Sequence, residues 1–107
     1  MITPEQQREL DEQGVTVIPD VLSDAEIDAY KERLLALAAA EREDGSALVH
    51  TGGGGQHVRW LANKGEIFEK MIGHPKVSPF FEYLLGPDYT LSTLTSNIIS
   101  PGYASAL

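Results

Sequence analysis

The chain has 107 residues, 42% hydrophobic and 22% charged, enough for one domain that buries about two-thirds of its unfolded surface. Its formal net charge of −8 sets sixteen acids against eight bases, which argues against nucleic acid as a partner because such a surface repels a phosphate backbone. The absence of cysteine excludes disulfides, thiolate nucleophiles and cysteine-held metal sites, and no apolar run approaches the length of a membrane span.

Residues 1–8 lack the basic start and apolar core of a signal peptide, so a cytoplasmic location is expected. Thr3-Pro4-Glu5-Gln6 supplies a cap residue, a first-turn proline and a glutamine three residues after the cap. It predicts a helix over about 4–13, closed by Gly14. Val15-Thr16-Val17-Ile18 is β-branched and bounded by Gly14 and Pro19, and predicts a strand over 15–18. Ser23-Asp24-Ala25-Glu26 is a second capping box. The helix behind it, about 24–43, carries Ile27, Tyr30, Leu34 and Leu37 on one face and stops at Gly45.

The stretch from Asp44 to Val58 reads as a mobile loop centred on Gly52–Gly55. Asn63, with Glu66 three residues on, caps a third helix over about 64–72, striped by Ile67, Phe68, Met71 and Ile72. Val77, Phe80, Phe81, Leu84 and Leu85 mark a fourth helix over about 76–85, closed by Gly86-Pro87. A final strand covers about 89–100 and runs into the Pro101-Gly102 turn. Two strands so far apart in sequence do not make an independent sheet, so the pattern is α+β and architecturally incomplete.

Little in this order carries chemistry by itself. The glycines at 52–55 are followed by Gln56-His57-Val58, not by the lysine and hydroxyl residue that a phosphate loop requires. His50, His57 and His74 are separated by seven and seventeen residues, which does not match a helical or hairpin metal pair. His74, just before Pro75 at a helix end, is expected to cap carbonyls. The segment from Arg59 to Gly65 differs, because it gathers a guanidinium, the only tryptophan, an amide and an amine in Arg59, Trp60, Asn63 and Lys64. Beside a glycine loop such a cluster suits a substrate-binding rim. The competing reading makes Trp60 a core residue and leaves the charges to solvent.

Taken together, several segments resemble the phytanoyl-CoA dioxygenase family of non-haem Fe(II)/2-oxoglutarate oxygenases. They are Gln13-Gly14-Val15 through Pro19 to Ser23-Asp24-Ala25-Glu26-Ile27, then Arg59-Trp60-Leu61-x-Asn63-Lys64-Gly65, Gly73-His74-Pro75, Leu84-Leu85-Gly86-Pro87-Asp88-Tyr89, and the strand ending in Ser100-Pro101-Gly102. The resemblance covers essentially the whole chain. It implies an N-terminal helical flank and the first strands of a double-stranded β-helix, or jelly roll.

In that family such a strand and turn lead into a His-x-Asp motif that, with a distant histidine, holds iron. The resemblance puts the first of these ligands a residue or two beyond Leu107. No metal ligand, and no basic residue for 2-oxoglutarate, is therefore expected in the chain, and none of these cofactors is expected to bind to it alone. The resemblance also implies that the last strand lines the pocket near the co-substrate. Alternation leaves two inward sets, Thr93, Thr95 and Asn97 or Leu94, Ser96 and Ile98. We take Thr95 and Asn97 as the cofactor-facing pair.

The expected function is that of the N-terminal part of a dioxygenase acting on a small organic substrate, inactive as this chain alone. The alternative is a non-catalytic module of the same descent that forms homodimers through the exposed edge of the last strand.

Overall fold

Reciprocal capping starts both long helices of the structure, a computed structural model that describes residues 1–102. In α1 (Pro4–Gln13), Thr3 Oγ1 accepts from the Gln6 amide at 3.1 Å, and the Gln6 side chain accepts from the Thr3 amide at 3.0 Å. In α2 (Asp24–Asp44), Ser23 and Glu26 repeat the exchange. These bonds satisfy amide groups that a helix start leaves without partners. Both helices end on left-handed glycines, Gly14 at φ 76° and Gly45 at φ 85°.

The two later helices are shorter than expected at their starts. α3 spans Glu66–Ile72 and α4 spans Ser78–Leu85. Before α3, Leu61–Asn63 form a 3-10 turn, and Gly65 at φ 145° separates it from the helix.

The strands depart further from expectation. Val15–Ile18 is not a strand, and among the described residues it pairs with nothing. Its β-branched side chains suit a sheet, but no second strand reaches it, and Val17 is 74% exposed. The Gln6 side-chain amide donates to the Val17 carbonyl instead, at 3.1 Å.

The segment expected as a loop over 44–58 holds a hairpin of β1 (Leu48–Val49) and β2 (Gly55–Val58). Its glycines form the turn, with Gly52 at φ 90° and Gly53 at φ 77°, where a side chain would be strained. Of the long strand expected over 89–100, only Ser96–Ile99 (β3) enters the ladder.

The antiparallel order is β1-β2-β3, so the fold is α+β, with four helices and a small three-stranded sheet. One face of this sheet lies on the helices. Val58 is fully buried, in a core with Tyr30 and Ala38 of α2, Leu61 and the fully buried Phe68 of α3, and Leu94 and Ile98 pack against it. The Tyr30 hydroxyl donates to the Ile67 carbonyl at 2.9 Å and its ring meets Phe68 at 6.2 Å. Burial holds the Tyr30 phenol above its ordinary pKa, with a further push from Glu26.

α1 contributes no buried residue. It is attached through the Gln6–Val17 bond and through Tyr83 of α4, whose hydroxyl donates to the Asp11 carboxylate at 2.8 Å. That hydrogen bond holds the Tyr83 phenol above its ordinary pKa.

Candidate functional site

Strand alternation turns every second residue of the sheet away from the helices. Gln56, Val58, Ile98 and Leu94 face the core, so Leu48, His57 and Asn97 form a row on the opposite face, each opposite the next across the three strands. A second row holds His50, Gly55 and Ile99. No helix covers this open face among the described residues, and Leu48 and Ile99 are exposed on it.

The two histidine rings meet there, with centroids 4.7 Å apart and planes inclined by 33°. Glycine at position 55 makes room for them. A Cβ at Gly55 would lie 2.9 Å from His50 Nδ1, closer than such contacts are found. The seven-residue separation of His50 and His57 is thus a hairpin pair after all. The flanking pattern His50-Thr51-Gly52-Gly53-Gly54-Gly55-Gln56-His57 was the available signal, because a glycine turn returns the second histidine beside the first.

Just past β2 the ladder slips. Val58 stands opposite Ser96, but the Leu61 amide donates to Leu94 at 3.1 Å, so three residues advance on one side against two on the other. The extra residue makes a bulge, a feature that re-aims side chains and recurs beside active sites. Trp60 occupies it in the left-handed region, at φ 56° and ψ 44°, where a bulky residue is a conformational outlier. The residue is 60% exposed, and the Arg59 guanidinium carbon sits 4.6 Å from the ring centroid, within cation–π range. Trp60 is therefore not a core residue.

The rest of the rim segment is fastened to α2. Lys64 Nζ pairs with Glu41 at 2.6 Å, and Arg33 donates to the Lys64 carbonyl at 2.8 Å. Both members of the ion pair are largely covered, which strengthens it relative to a surface pair. Of the four rim candidates, Arg59 and Trp60 stand together, Asn63 is exposed at the end of the 3-10 turn, and the Lys64 ammonium is engaged by Glu41.

Of the two candidate inward sets on the last strand, Leu94 and Ile98 pack on the helices and Thr95 and Asn97 lie on the open face. Thr95 is within 3.4 Å of Thr93 through their hydroxyls. Arg59 and Thr95 are the residues next beyond the last pair of the ladder, Val58 and Ser96. His74 does not cap carbonyls: its Nδ1 accepts from the Lys76 amide at 3.1 Å.

A second concavity, an apolar groove of about 420 Å³, lies between α3, α4 and the chain leading to β3, lined by Met71, Val77, Phe81, Leu85, Leu91 and Leu94 among others. Among the described residues no three histidine, cysteine, aspartate or glutamate side chains converge on a point that could hold a metal ion. The histidine pair thus lacks the carboxylate that a facial triad needs. Among the same residues no helix is long and apolar enough to cross a membrane.

Comparison with known proteins gives one family. No curated protein and no solved structure matches the chain significantly. Residues 10–104 match phytanoyl-CoA dioxygenase (PhyH), a span that includes the hairpin, the Trp60 bulge and β3. The chain belongs to the phytanoyl-CoA dioxygenase family.

Proposed function

We propose that the chain supplies the N-terminal flank and first strands of an Fe(II)/2-oxoglutarate dioxygenase whose jelly roll is completed by residues outside this chain. The observation that carries the reading is the two-sided sheet. One face is packed on α2 and α3, the other is open, and β3 has a neighbour on one side alone among the described residues. A jelly roll built onto that edge would enclose the open face.

On this reading the open face lines the chamber for a small organic substrate. Arg59, Trp60 and Asn63 stand at its rim, Thr95 and Asn97 on its wall toward 2-oxoglutarate, and Lys64 holds the rim to α2. The exposed Phe81, Leu84, Leu85 and Leu91 are further apolar surface for the remainder of the domain to cover. Iron and 2-oxoglutarate supply the oxygen chemistry in this family. The described residues do not form the iron site, so no step of that chemistry is assigned to them. A cytoplasmic location belongs to the same proposal.

The coding sequence beyond the Leu107 codon tests the reading. An in-frame His-x-Asp within a few codons supports it, and a stop codon overturns it. The purified 107-residue chain, given Fe(II), 2-oxoglutarate and oxygen, is expected to form no succinate, and succinate would count against the division of labour proposed.

The free edge of β3 favours a second reading, a self-associating module in which strand addition joins two copies. A dimeric mass by light scattering, together with a stop codon after Leu107, would select it.

A further inference from the structure

We infer that the Arg59–Trp60 bulge is an anion-recognition element, and that the ligand of the open face is a small planar molecule bearing a carboxylate or a phosphate. The inference rests on the reading of the open face as a chamber wall, and it adds the charge and shape of what enters.

Three observations converge on it. First, Arg59 has no carboxylate partner among the described residues, where the ion pair is Lys64–Glu41. Arg33 and Arg42 are likewise without an acid but donate to the Lys64 carbonyl and to the Gln56 side chain, whereas no such bond engages Arg59 among the described residues. Secondly, its guanidinium lies over an aromatic ring. Such a contact leaves the in-plane N–H groups free for a bidentate carboxylate or phosphate. Thirdly, alternation puts Arg59 on the same side as His57, whose cross-strand partner is Asn97, and Thr95 is next beyond the paired end of β3. These are imidazole, amide and hydroxyl groups able to donate hydrogen bonds, and none carries negative charge.

Trp60 gives the shape. Its strained backbone is fixed by the buried Leu61 that follows and by the Asn63 amide donating to the Trp60 carbonyl, while the side chain itself is mostly outside the core. Strain kept without burial points to a surface that meets a ligand. A flat apolar body on the ring, with its charge on Arg59, uses both features at once.

Trp60 is the only tryptophan in the chain, so its fluorescence reports the site directly. The 107-residue chain is titrated with benzoate, with phenyl phosphate, and with benzamide as the uncharged counterpart of benzoate. Saturable change with benzoate or phenyl phosphate, and binding of benzamide weaker by about tenfold or more, is expected from one charge-assisted contact. Which anion binds more tightly identifies the charged group.

Arg59→Gln is expected to erase the preference for the anions, and Arg59→Lys to retain part of it, with unchanged far-ultraviolet circular dichroism in both. Equal binding of benzamide and benzoate, no saturation with either anion, or an unaltered preference in Arg59→Gln would overturn the inference. None of these readouts involves succinate or the downstream codons, so the anion site and the dioxygenase reading can fail separately.

Discussion

The side-chain amide of Gln56 crosses from the sheet to the long helix and donates to the Ala38 carbonyl at 3.0 Å. Its oxygen accepts from Arg42 Nε at 2.6 Å, and Gln56 itself is 3% exposed. A buried amide satisfied at both ends fixes which residues of β2 face the helix, because any slip of one residue would bury His57 instead.

Replacing this amide should therefore weaken the whole domain. Gln56→Ala removes both hydrogen bonds and is expected to lower stability by about 1–3 kcal/mol. A urea unfolding curve measures it, and an unmoved midpoint would show that the sheet is held to α2 by apolar contact alone.

The histidine pair predicts a steric effect with a specific remedy. Gly55 has an ordinary backbone conformation, so Gly55→Ala acts through the clash with the His50 ring. The expected loss is about 1–3 kcal/mol, typical of overpacking. In a His50→Ala background the loss should shrink by at least about 0.5 kcal/mol, because the obstructing ring is gone. Equal losses in both backgrounds would place the cause in the backbone.

Acid should loosen the start of α2. The Glu26 carboxylate accepts a hydrogen bond from the Ser23 amide, which holds its pKa below the ordinary value. A lowered folded-state pKa means that the unfolded chain takes up the proton more readily. The contribution is thus fully present above the unfolded glutamate pKa of about 4.3 and is lost as pH falls through the lower folded value. Glu26→Gln is expected to flatten the acid limb of the stability-against-pH curve, and an identical limb in wild type and variant would contradict this.

At the bulge, stability and recognition should part. Trp60→Gly places the residue that tolerates a positive φ where a tryptophan now sits. Relief of the left-handed conformation, about 1–2 kcal/mol, is set against the covered two-fifths of a large aromatic residue, a term of similar size. The variant is expected to unfold at a similar urea concentration while losing affinity for benzoate and phenyl phosphate by calorimetry. A clear loss of stability would show that the ring supports the fold.

The parts of the fold that were readable in the sequence are those set by neighbours along the chain. Thr3 with Gln6 and Ser23 with Glu26 announce two helix starts through contacts three residues apart, and the apolar stripe with Phe68 announces a third helix. What was misread depends on partners far away. Val15–Ile18 has the composition of a strand and no strand beside it. β1 and β2 are short, and their glycine turn resembles a loop until β3 arrives from forty residues downstream to pair with β2. The facing of Thr95 and Asn97 was ambiguous for the same reason, since Leu91 and Ile99 share their side of the alternation. The burial of Ile98 and Leu94 under the helices decides it, and local pattern does not contain that contact.

The polar attachment of α1 has a consequence for how the molecule opens. A helix with no fully buried residue, moored at Gln6 and at Asp11 by hydrogen bonds that water can replace, is an independent opening unit. Its amides should exchange with deuterium well before those of β2. A protease should trim the chain to the vicinity of Pro19 and leave the sheet and its helical backing intact, a smaller core on which Arg59 and Trp60 are still presented.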